Sequence, residues 1–599
     1  MPTSYHAPLR DMRFVYHDLV DGDALAEIPA FAEATPDLVD AVLEEAGKLA
    51  RDVLQPCNRT GDEEGCTYEN GVVRTPAGFK EAYNRFQEGG WTSLACDPDY
   101  GGQGLPHLVN HFVEEMICAA NLAFGTYPGL THGNYRAVHA HASEDLKTLY
   151  LPRLVDGTWS GTMCLTEPHC GTDLGMCRTK ATPNDDDTYS ISGTKIWISG
   201  GEQDLTENII HLVLARLPGA PDGTKGISMF LVPKFLPDAE GNPGVRNAVA
   251  CGGIEHKMGL NGSATCVINF DGAKGWLVGE AHKGMRAMFT MMNMERLAVG
   301  NQGVGLSEAS FQAALAQAHD RLQGRALSGP KFPEKNADPI VVHPDVRRML
   351  LTMRAYTEGA RALGALVSRE ADVAEAHPDP TRRQAADDFV ALLTPVVKAL
   401  FTDLGFEVTN LGVQVHGGMG YIRETGVEQF VRDARIAQIY EGANGIQALD
   451  LIGRKMPANA GRKLRRLYHP VSDFLEDNQN VEGMAEFVQP LAKAFGRLQT
   501  ATGHVAQAGM KDQDAAASGA SDLLRLMGLV ALGWMWARTA KIALERQDDD
   551  PGGFYAAKLA TARFYMTKLL PETGALVSRI MAGKDPMMEV PDSVFEMAG

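Results

Sequence analysis

The pattern of apolar and polar positions divides the chain into helical and strand-rich stretches. From residue 37 to about residue 153, segments such as LVDAVLEEAGKLARDVL repeat apolar residues three and four positions apart, the spacing of an amphipathic helix. Between about residues 160 and 280, alternating runs such as TYSISGTKIWISGG and GISMFLVPKFL are separated by Gly, Pro, Asn and Asp, which predicts strands and turns. Helical spacing returns at about residue 285. The pattern therefore predicts an α+β multidomain protein with a helical bundle, a small antiparallel barrel or sandwich, and further helices.

These changes of pattern set the predicted domain boundaries. A chain of 599 residues exceeds what one hydrophobic core usually serves, so several compact units of roughly 100 to 150 residues are expected. The predicted segments are an N-terminal extension (1–36), an N-terminal helical domain (37–159), a middle β domain (160–284), a C-terminal helical bundle (285–455) and an additional helical domain (456–599).

One stretch after the middle region predicts a long core-facing helix. In DVRRMLLTMRAYTEGARALGALV, apolar residues from Val346 to Val367 step by three or four, and the arginines are expected on the opposite face. The preceding RALSGPKFPEKNADPIVVHP carries four prolines, which predicts an irregular loop.

Charge and cysteine usage exclude several classes of protein. The net charge of −19 gives an acidic surface that repels phosphate backbones, so nucleic-acid binding is not expected. The nine cysteines lie in the first half without a C-x-x-C pair, which predicts reduced, mostly buried thiols in a cytoplasmic protein. His169 beside Cys170 invites a metal interpretation, but structural zinc sites normally use tighter paired spacings, and no metal is predicted. The most apolar run, from Leu526 to Ala537, is shorter than a span of roughly 20 residues, so no transmembrane segment is predicted.

Three segments have the residue types of a ligand site. In MCLTEPHCGTDLGM, glycine-freed N–H groups and threonine hydroxyls suit the polar edge of a heterocycle or a phosphate, although an ordinary domain-entry turn has the same composition. In KIWISGG, Trp197 and Ser199 share one strand face, while Ile196 and Ile198 point the other way. A tryptophan is more often a core residue than a platform for a ligand, but a serine on the same face favours a polar planar ligand.

The third segment, VQVHGGMGYIRETG, has glycines that let a backbone approach a bulky ligand. It is not the G-x-G-x-x-G fingerprint, so a Rossmann site is not expected, and His416 is interpreted as a structural histidine. Further on, IYEGANGIQALDL places Glu441 between Tyr and Gly before an apolar helix. That carboxylate is either a first-turn helix residue favoured by the helix dipole or a base in a poorly solvated site.

These motifs, in this order over about residues 37–455, resemble the acyl-CoA dehydrogenase family of flavoproteins. The resemblance implies FAD as cofactor and an acyl-CoA as substrate, with Glu441 of the YEG motif as the catalytic base and Thr172 and Gly442 at the substrate. It implies that an arginine contributed by a neighbouring subunit to the FAD pyrophosphate corresponds to Arg321 in DRLQGR, and that the family's QxxGG motif corresponds to Gln414, Gly417 and Gly418; this match implies at least a dimer. The residues implied to bind FAD are Met163, Leu165, Thr166, Gly171, Thr172, Trp197, Ser199, Arg321, Gln414, Gly417, Gly418, Ala443 and Gly445.

The chain departs from the family pattern at two of these places. After YEG the family often has Thr, Ser and Gln, whereas this chain has Ala443, Asn444 and Gly445. The common R-x-x-F-G is RLQGR here and lacks the phenylalanine. The first departure bears on side-chain contacts to the adenine half of FAD. The second bears on the subunit contact around Arg321.

The implied reaction explains why a carboxylate stands at YEG. Dehydrogenation across two adjacent carbons needs a base for the weakly acidic α-proton and an acceptor for the β-hydride. In the family, the glutamate's own main-chain N–H and a flavin ribityl hydroxyl polarise the thioester carbonyl. A bound acyl chain expels water, which is expected to raise the pKa of the glutamate.

The N-terminal extension, the proline-rich loop and the C-terminal helical segment resemble a long bacterial form of the family. That form includes enzymes acting on 3-(methylthio)propanoyl-CoA, in dimethylsulfoniopropionate demethylation, and broad-range enzymes of medium- and long-chain fatty acyl-CoA β-oxidation. The start DMRF and the acidic bias favour the first, with electrons passing to an electron-transfer flavoprotein.

Two other activities occur among proteins of similar architecture. An acyl-CoA oxidase reoxidises its flavin with oxygen, and peroxide production would distinguish it. An alkylation-response protein binds DNA through a basic C-terminal domain, and here residues 453–469 form a local basic cluster, which is usually a solvated helix face.

Overall fold

The computed structural model describes residues 4–550 and 552–597. They divide into two compact units. The mixed unit comprises Ser4–Ala7 and Ala41–Ala298, and the helical unit comprises Pro8–Asp40 and the chain from Val299 onward. The α-helices, in chain order, are α1 (Leu9–Arg13), α2 (Pro36–Leu49), α3 (Asn58–Glu64), α4 (Phe79–Glu88), α5 (His107–His141), α6 (Glu144–Val155), α7 (Gly284–Asp320), α8 (Pro344–Ala376), α9 (Pro380–His416), α10 (Glu428–Ala437), α11 (Asn444–Asp450), α12 (Ala458–Asn478), α13 (Ala485–Gly509), α14 (Gln513–Ser518), α15 (Ala520–Arg546), α16 (Phe554–Phe564), α17 (Thr573–Met581) and α18 (Asp585–Met588).

The strands all lie in the mixed unit, as far as the structure describes the chain. They are β1 (Thr67–Glu69), β2 (Val72–Arg74), β3 (Trp159–Cys164), β4 (Lys180–Pro183), β5 (Tyr189–Ser199), β6 (Asn208–Arg216), β7 (Ile227–Pro233), β8 (Phe235–Pro237), β9 (Pro243–Arg246), β10 (Val249–Ile254) and β11 (Thr265–Val278). Strands β11, β5, β4, β6 and β7 pair in a closed ring, with β10 and β3 added outside it. The predicted barrel in the middle of the chain is therefore confirmed.

One feature of the barrel corrects the sequence-based expectation of a purely antiparallel sheet. Strand β3 pairs with β6 in parallel, from Trp159 opposite Asn208 to Cys164 opposite Val213. Strand β4 also touches β6 in parallel, through Lys180 and Arg216. Parallel neighbours need a long connection rather than a tight hairpin, and such pairing leaves no local sequence signal. It places the segment that follows β3 at one end of the barrel.

The long helix predicted after the proline-rich loop is α8, and its apolar face is buried as expected, including Met353, Leu363 and Val367. The expectation that its arginines lie on the outer face is wrong for Arg361, which is fully buried. Its guanidinium donates to Asp11 Oδ2 and to Glu308 Oε2, each at 2.6 Å. Asp11 is a residue of α1, so the N-terminal segment supplies a carboxylate that lets this arginine be buried.

One helix in the described part of the chain is long and apolar enough to cross a membrane by length and composition. It runs over Pro380–Tyr421, and 78% of its most apolar window is buried inside the protein. Burial of this extent is typical of a core helix.

Candidate active site

The first candidate segment is a tight turn that follows β3 in the mixed unit. The main chains of Glu167 and Cys170 exchange hydrogen bonds of 2.9 and 3.0 Å, which closes the turn over Pro168 and His169. Met163 lies on β3 itself, and Leu165 is buried directly after it. The closed turn leaves Gly171 and Thr172 exposed, as a ligand-facing loop requires. The sequence left two interpretations of this segment open, an ordinary turn and a ligand-binding turn. The observed geometry is compatible with both.

A buried ion pair fixes this turn to the barrel. Glu167 is 3% exposed, and its carboxylate accepts hydrogen bonds from Lys195 Nζ at 2.8 Å, Thr179 Oγ1 at 2.6 Å and the main-chain N–H groups of Arg178 and Thr179 at 2.8 and 3.0 Å. Burial alone would raise the pKa of Glu167, but the ammonium and these donors lower it to about 2. Lys195 also donates to Leu165 O at 2.9 Å, so it holds the turn from both sides.

Lys195 is a structural residue of the site that the sequence analysis missed. Strict alternation would put Lys195 on the same face as Trp197, so the strand pattern gave no signal for its burial, which depends on the bulge between the two residues. In the structure the Lys195 ammonium is fully buried and is stabilised by the Glu167 carboxylate, the kind of partner that a buried lysine commonly has.

Trp197 is presented to the outside of the barrel by a β-bulge. Opposite β11, Ile198 pairs with Cys266 and Lys195 with Ile268, so Ile196 and Trp197 together face one residue, Val267. The bulge puts Trp197 in the left-handed region with φ +60°, and its side chain is 61% exposed. A large exposed indole on a rigid sheet is a platform that a planar ring covers, and this observation fits the isoalloxazine ring of FAD.

The strand with Trp197 and the turn with Glu167 are joined directly. The Ile196 N–H donates to Thr166 O at 3.0 Å. Ile198 is buried and Ser199 is half-buried, so Trp197 and Ser199 share the outer side, as the alternation predicts. The structure therefore brings together Met163, Leu165, Thr166, Gly171, Thr172, Trp197 and Ser199.

The cysteine and histidine residues near this turn have ordinary hydrogen-bond partners. Cys177 Sγ donates to Glu167 Oε1 at 3.1 Å, and His169 Nε2 lies 3.1 Å from Met176 O. Over residues 4–550 and 552–597, no group of three or more His, Cys, Asp or Glu side chains is arranged to hold a metal ion. All nine cysteines have free thiols.

The second candidate segment is the YEG turn in the helical unit. Helix α10 ends at Ala437, and α11 does not begin until Asn444. Glu441 has φ +55° and Gly442 has φ +86°, so the main chain makes a left-handed turn there. Glu441 is half-buried and precedes the helix. The alternative that it is a first-turn helix residue is therefore wrong.

Two side chains of α11 hold this turn. Gln447 is fully buried, and its Nε2 donates to Glu441 O and to Gly442 O, each at 3.1 Å. Asn444 Nδ2 donates to Asp403 Oδ1 at 2.7 Å, and Asn444 Oδ1 accepts from Lys398 Nζ at 2.9 Å. The sequence analysis noted Asn444 only as a departure from the family pattern and missed Gln447.

Among the residues flanking Glu441, one side chain is fixed by a hydrogen bond, and others leave open space in which a ligand could lie. The Tyr440 hydroxyl donates to Gln302 Oε1. Ala443 is half-buried at the start of α11, and a Cβ added at Gly445 would meet no atom within 4 Å. That open space at Gly445, on the exposed side of α11, fits a cofactor lying against the helix.

The remaining predicted cofactor residues lie elsewhere in the helical unit. Gln414, Gly417 and Gly418 are exposed at the C-terminal end of α9, and Cβ atoms added at both glycines would meet open space. Asn444 is anchored to α9 at Thr402, so Gln414 lies about 18 Å further along that helix. Arg321 is exposed directly after α7. The structure does not bring Gln414, Gly417 and Gly418 to the Glu441 turn of the same chain.

Sequence profiles of known families match almost the whole chain. The profile described as acyl-CoA dehydrogenase, N-terminal domain, matches residues 39–158, the middle-domain profile matches 162–273, and the C-terminal-domain profile matches 282–456. A fourth, described as acetyl-CoA dehydrogenase C-terminal like, matches residues 467–591.

Full-length relatives agree with these matches. The chain is 42% identical over 588 residues, 98% of this chain and 99% of the relative, to the 3-methylmercaptopropionyl-CoA dehydrogenase of Ruegeria pomeroyi. It is 32% identical to a butyryl-CoA dehydrogenase of Syntrophomonas wolfei, over 99% of each chain. It is also 32% identical to a broad-specificity linear acyl-CoA dehydrogenase of Mycobacterium tuberculosis, over 99% of this chain and 100% of the relative.

Solved structures share the fold. Caenorhabditis elegans ACDH-11 in complex with C11-CoA has a TM-score of 0.79 at 18% identity, covering 98% of this chain and 96% of that one. An acyl-CoA dehydrogenase complexed with FAD from Bacillus anthracis has a TM-score of 0.75 at 20% identity, covering 94% and 91%. With matching profiles in order and a 42% identical relative along its length, the chain belongs to the acyl-CoA dehydrogenase family, FAD-dependent oxidoreductases that act on a CH–CH bond.

Proposed function

We propose that this chain dehydrogenates 3-(methylthio)propanoyl-CoA to methylthioacryloyl-CoA, with Glu441 as the catalytic base. The observation that supports the role of Glu441 is its left-handed turn, which places the residue outside the helices. The buried amide of Gln447 donates hydrogen bonds to the main-chain carbonyls of this turn. The substrate assignment is supported by the 42% identical relative of Ruegeria pomeroyi. The broad-specificity linear acyl-CoA dehydrogenase at 32% identity supports the alternative, a broad-range enzyme of medium- and long-chain fatty acyl-CoA, and the butyryl-CoA dehydrogenase at 32% identity extends it to a short chain.

The proposed reaction removes two hydrogens from adjacent carbons. The Glu441 carboxylate takes the α-proton, and its main-chain N–H donates to the thioester carbonyl, whose oxygen gains charge as the proton leaves. When bound, FAD would supply the acceptor for the hydride that leaves the β-carbon, so that proton and hydride loss together leave a carbon–carbon double bond. Gly442 has no side chain to obstruct the thioester, and Thr172 is exposed on its loop for a substrate contact.

The residues proposed to hold FAD have the surfaces that a large planar cofactor needs. Trp197 offers an indole face, and the Thr166 and Thr172 hydroxyls and the Gly171 main chain offer polar contacts. Gly445 offers space where any other residue would carry a side chain. Exclusion of water by the acyl chain would then raise the pKa of Glu441 toward the range where a carboxylate takes a carbon-bound proton.

We infer that a second copy of the chain supplies Arg321, Gln414, Gly417 and Gly418 to the cofactor. Two observations support a dimer. Gln414 lies about 18 Å along α9 from the anchor of the Glu441 turn. Beside it, Met419, Tyr421 and Ile422 form an exposed apolar surface. We further propose a cytoplasmic enzyme whose electrons pass to an electron-transfer flavoprotein.

An anaerobic titration tests this function. Purified protein is mixed separately with 3-(methylthio)propanoyl-CoA, butanoyl-CoA and octanoyl-CoA while flavin absorbance is followed. We expect bleaching by the sulfur-containing thioester to be at least as fast as by the others. Faster bleaching by octanoyl-CoA would assign the chain to general fatty acyl-CoA oxidation, and protein without bound flavin would overturn the mechanism. Light scattering on the same sample should give twice the chain mass of 64.7 kDa or a multiple of it.

A further inference from the structure

Gln447 has an unusual arrangement of hydrogen bonds for a buried glutamine. Its single amide nitrogen donates to two successive main-chain carbonyls, Glu441 O and Gly442 O, at 3.1 Å each. Its Oε1 is buried and has no partner among the residues that the structure describes. Turning the amide over would set that oxygen against both carbonyls, so the hydrogen-bond pattern defines one orientation.

These two carbonyls control the conformation of the turn. The positions of Glu441 O and Gly442 O fix the planes of the two peptide units that follow the Glu441 Cα. With those planes held after its Cα, and with Tyr440 held before it through its N–H and its hydroxyl, Glu441 keeps φ +55°, a conformation that residues other than glycine rarely adopt. The direction of the Glu441 side chain relative to its own N–H is set by this φ.

Further hydrogen bonds hold the two ends of the turn. The Tyr440 N–H donates to Ile436 O at 3.1 Å, and the Asn444 N–H donates to Gln438 O at 3.1 Å. The Asn444 side chain is tied to α9 at Ala399, Thr402 and Asp403. Between these two fixed ends, Gln447 contacts the carbonyls of Glu441 and Gly442 themselves.

We propose that Gln447 is a positioning residue that fixes the direction of the Glu441 carboxylate relative to the Glu441 N–H. In this arrangement the carboxylate can take the α-proton while the N–H donates a hydrogen bond to the thioester oxygen. The proposal rests on the proposed role of Glu441. A base and an oxyanion donor on the same residue require one conformation of that residue, and a buried amide on a rigid helix supplies it without a charge that would disturb the carboxylate. The effect is on the chemical step rather than on cofactor binding.

The first test is Gln447→Met, which keeps the length of the side chain and removes both donors. We expect kcat to fall about 10- to 30-fold, as for the loss of two hydrogen bonds, with KM changed less than threefold and FAD content unchanged. Hydrogen–deuterium exchange of the substrate-free protein should become at least tenfold faster in residues 440–444. The matched control is Gln429→Met, another buried glutamine, in α10, whose amide donates to Asp433 at 3.2 Å. It should leave kcat and the exchange of residues 440–444 within twofold of the original protein.

A second variant, Gln447→Glu, gives a signature that a merely structural role would not produce. Its protonated carboxyl can donate to one of the two carbonyls, whereas its anion would face both carbonyl oxygens. Burial and those oxygens disfavour the anion and raise the pKa of the introduced carboxyl. Activity of Gln447→Glu should therefore fall as pH rises through that raised pKa, and we expect no such decline in the original protein.

The outcomes separate this inference from the proposed function. Unchanged kcat in Gln447→Met, or a loss of activity that only follows a loss of bound FAD, would overturn the positioning role. Unchanged exchange of residues 440–444 would overturn it as well, and this readout needs neither substrate nor catalysis. Full activity of Glu441→Gln would overturn the proposed function instead. A selective loss of kcat together with faster exchange in this segment supports the inference.

Discussion

Each unit of the molecule carries a glutamate at a sharp turn, and the two are held in opposite ways. In the mixed unit, Glu167 is buried, and its carboxylate accepts hydrogen bonds from Lys195, Thr179 and two main-chain N–H groups. In the helical unit, Glu441 is half-buried, and the buried amide of Gln447 holds its main chain. The first arrangement uses the carboxylate as a structural anchor, and the second fixes the backbone that carries it.

The hydrogen bonds around Glu167 exclude that glutamate as the base of the reaction. The donors around Glu167 lower its pKa to about 2, so it stays ionised near neutral pH and its proton affinity is too low for a base. The Gln447 amide that holds the main chain of the Glu441 turn is neutral and brings no positive charge to that turn. A carboxylate positioned in this way can respond to the water exclusion that a bound acyl chain brings.

The largest expected effect comes from exchanging each carboxylate for an amide. Glu441→Gln should lower the rate of anaerobic flavin bleaching by about 10³-fold or more, because removal of a general base costs on this order, while FAD remains bound. Glu167→Gln should change the rate per flavin-loaded molecule by less than about tenfold, since that carboxylate takes no part in proton transfer. Stopped-flow absorbance of both variants with the same thioester measures this. Equal losses in the two variants would remove the distinction between the turns.

Removal of the charged partner should destabilise the first turn. Lys195→Met leaves a buried carboxylate without its cation, which costs about 3–5 kcal/mol. Urea denaturation followed by circular dichroism should show this loss in the transition of the mixed unit. The control is Lys274→Met, which removes an exposed lysine paired with Asp186 at 2.8 Å and should cost about 0–1 kcal/mol.

A double variant sharpens this measurement. Lys195→Met combined with Glu167→Gln removes the uncompensated charge and should recover part of the lost stability. If the single and double variants were equally unstable, the loss would come from packing of the lysine stem and not from the ion pair.

The predicted site rests on local motifs of the sequence. Glu441, Trp197 and the Thr166 turn stand in short segments whose residue types indicate their chemistry without any knowledge of distant partners. The strand pattern around Trp197 predicted its shared side with Ser199, and the structure confirms it. The bulge that exposes Trp197 has no signal in that alternation, because it depends on one unpaired residue relative to β11.

The rest of the structure depends on contacts between distant residues. The parallel pairing of β3 with β6 joins residues about fifty positions apart, and no periodicity predicts it. Arg361 was expected outside because the helical spacing of the apolar residues put the arginines on the opposite face, yet Asp11, 350 positions away, makes its burial possible. The role of Gln447 likewise cannot be predicted from the sequence, because it depends on the positions of the main-chain carbonyls of the folded turn.

A smaller effect is expected in the acid stability of the protein, to which the lowered pKa of Glu167 contributes. The pKa of Glu167 is about 2 in the folded protein, against about 4.3 for an unperturbed glutamate. Its stabilising contribution, on the order of 3 kcal/mol, is therefore fully present above about pH 4.3 and is lost as pH falls toward 2. Acid unfolding of Glu167→Gln should show a correspondingly shallower loss of stability over this window than the original protein. Identical slopes would contradict the lowered pKa.

The smallest expected effect concerns the backbone of Trp197, whose φ of +60° is unfavourable for any residue with a Cβ. Trp197→Gly and Trp197→Ala both remove the indole, so both should weaken FAD binding by a similar factor, measured by flavin release on dilution. They differ in the turn itself, because glycine adopts the left-handed region freely, and the cofactor-free glycine variant should be more stable than the alanine variant by about 0.5–1 kcal/mol. A more stable alanine variant would mean that the bulge is not strained. A more stable glycine variant would instead show that Trp197 is held in a strained backbone conformation. Glu441, whose main chain is held by Gln447, also has a left-handed conformation in the other unit.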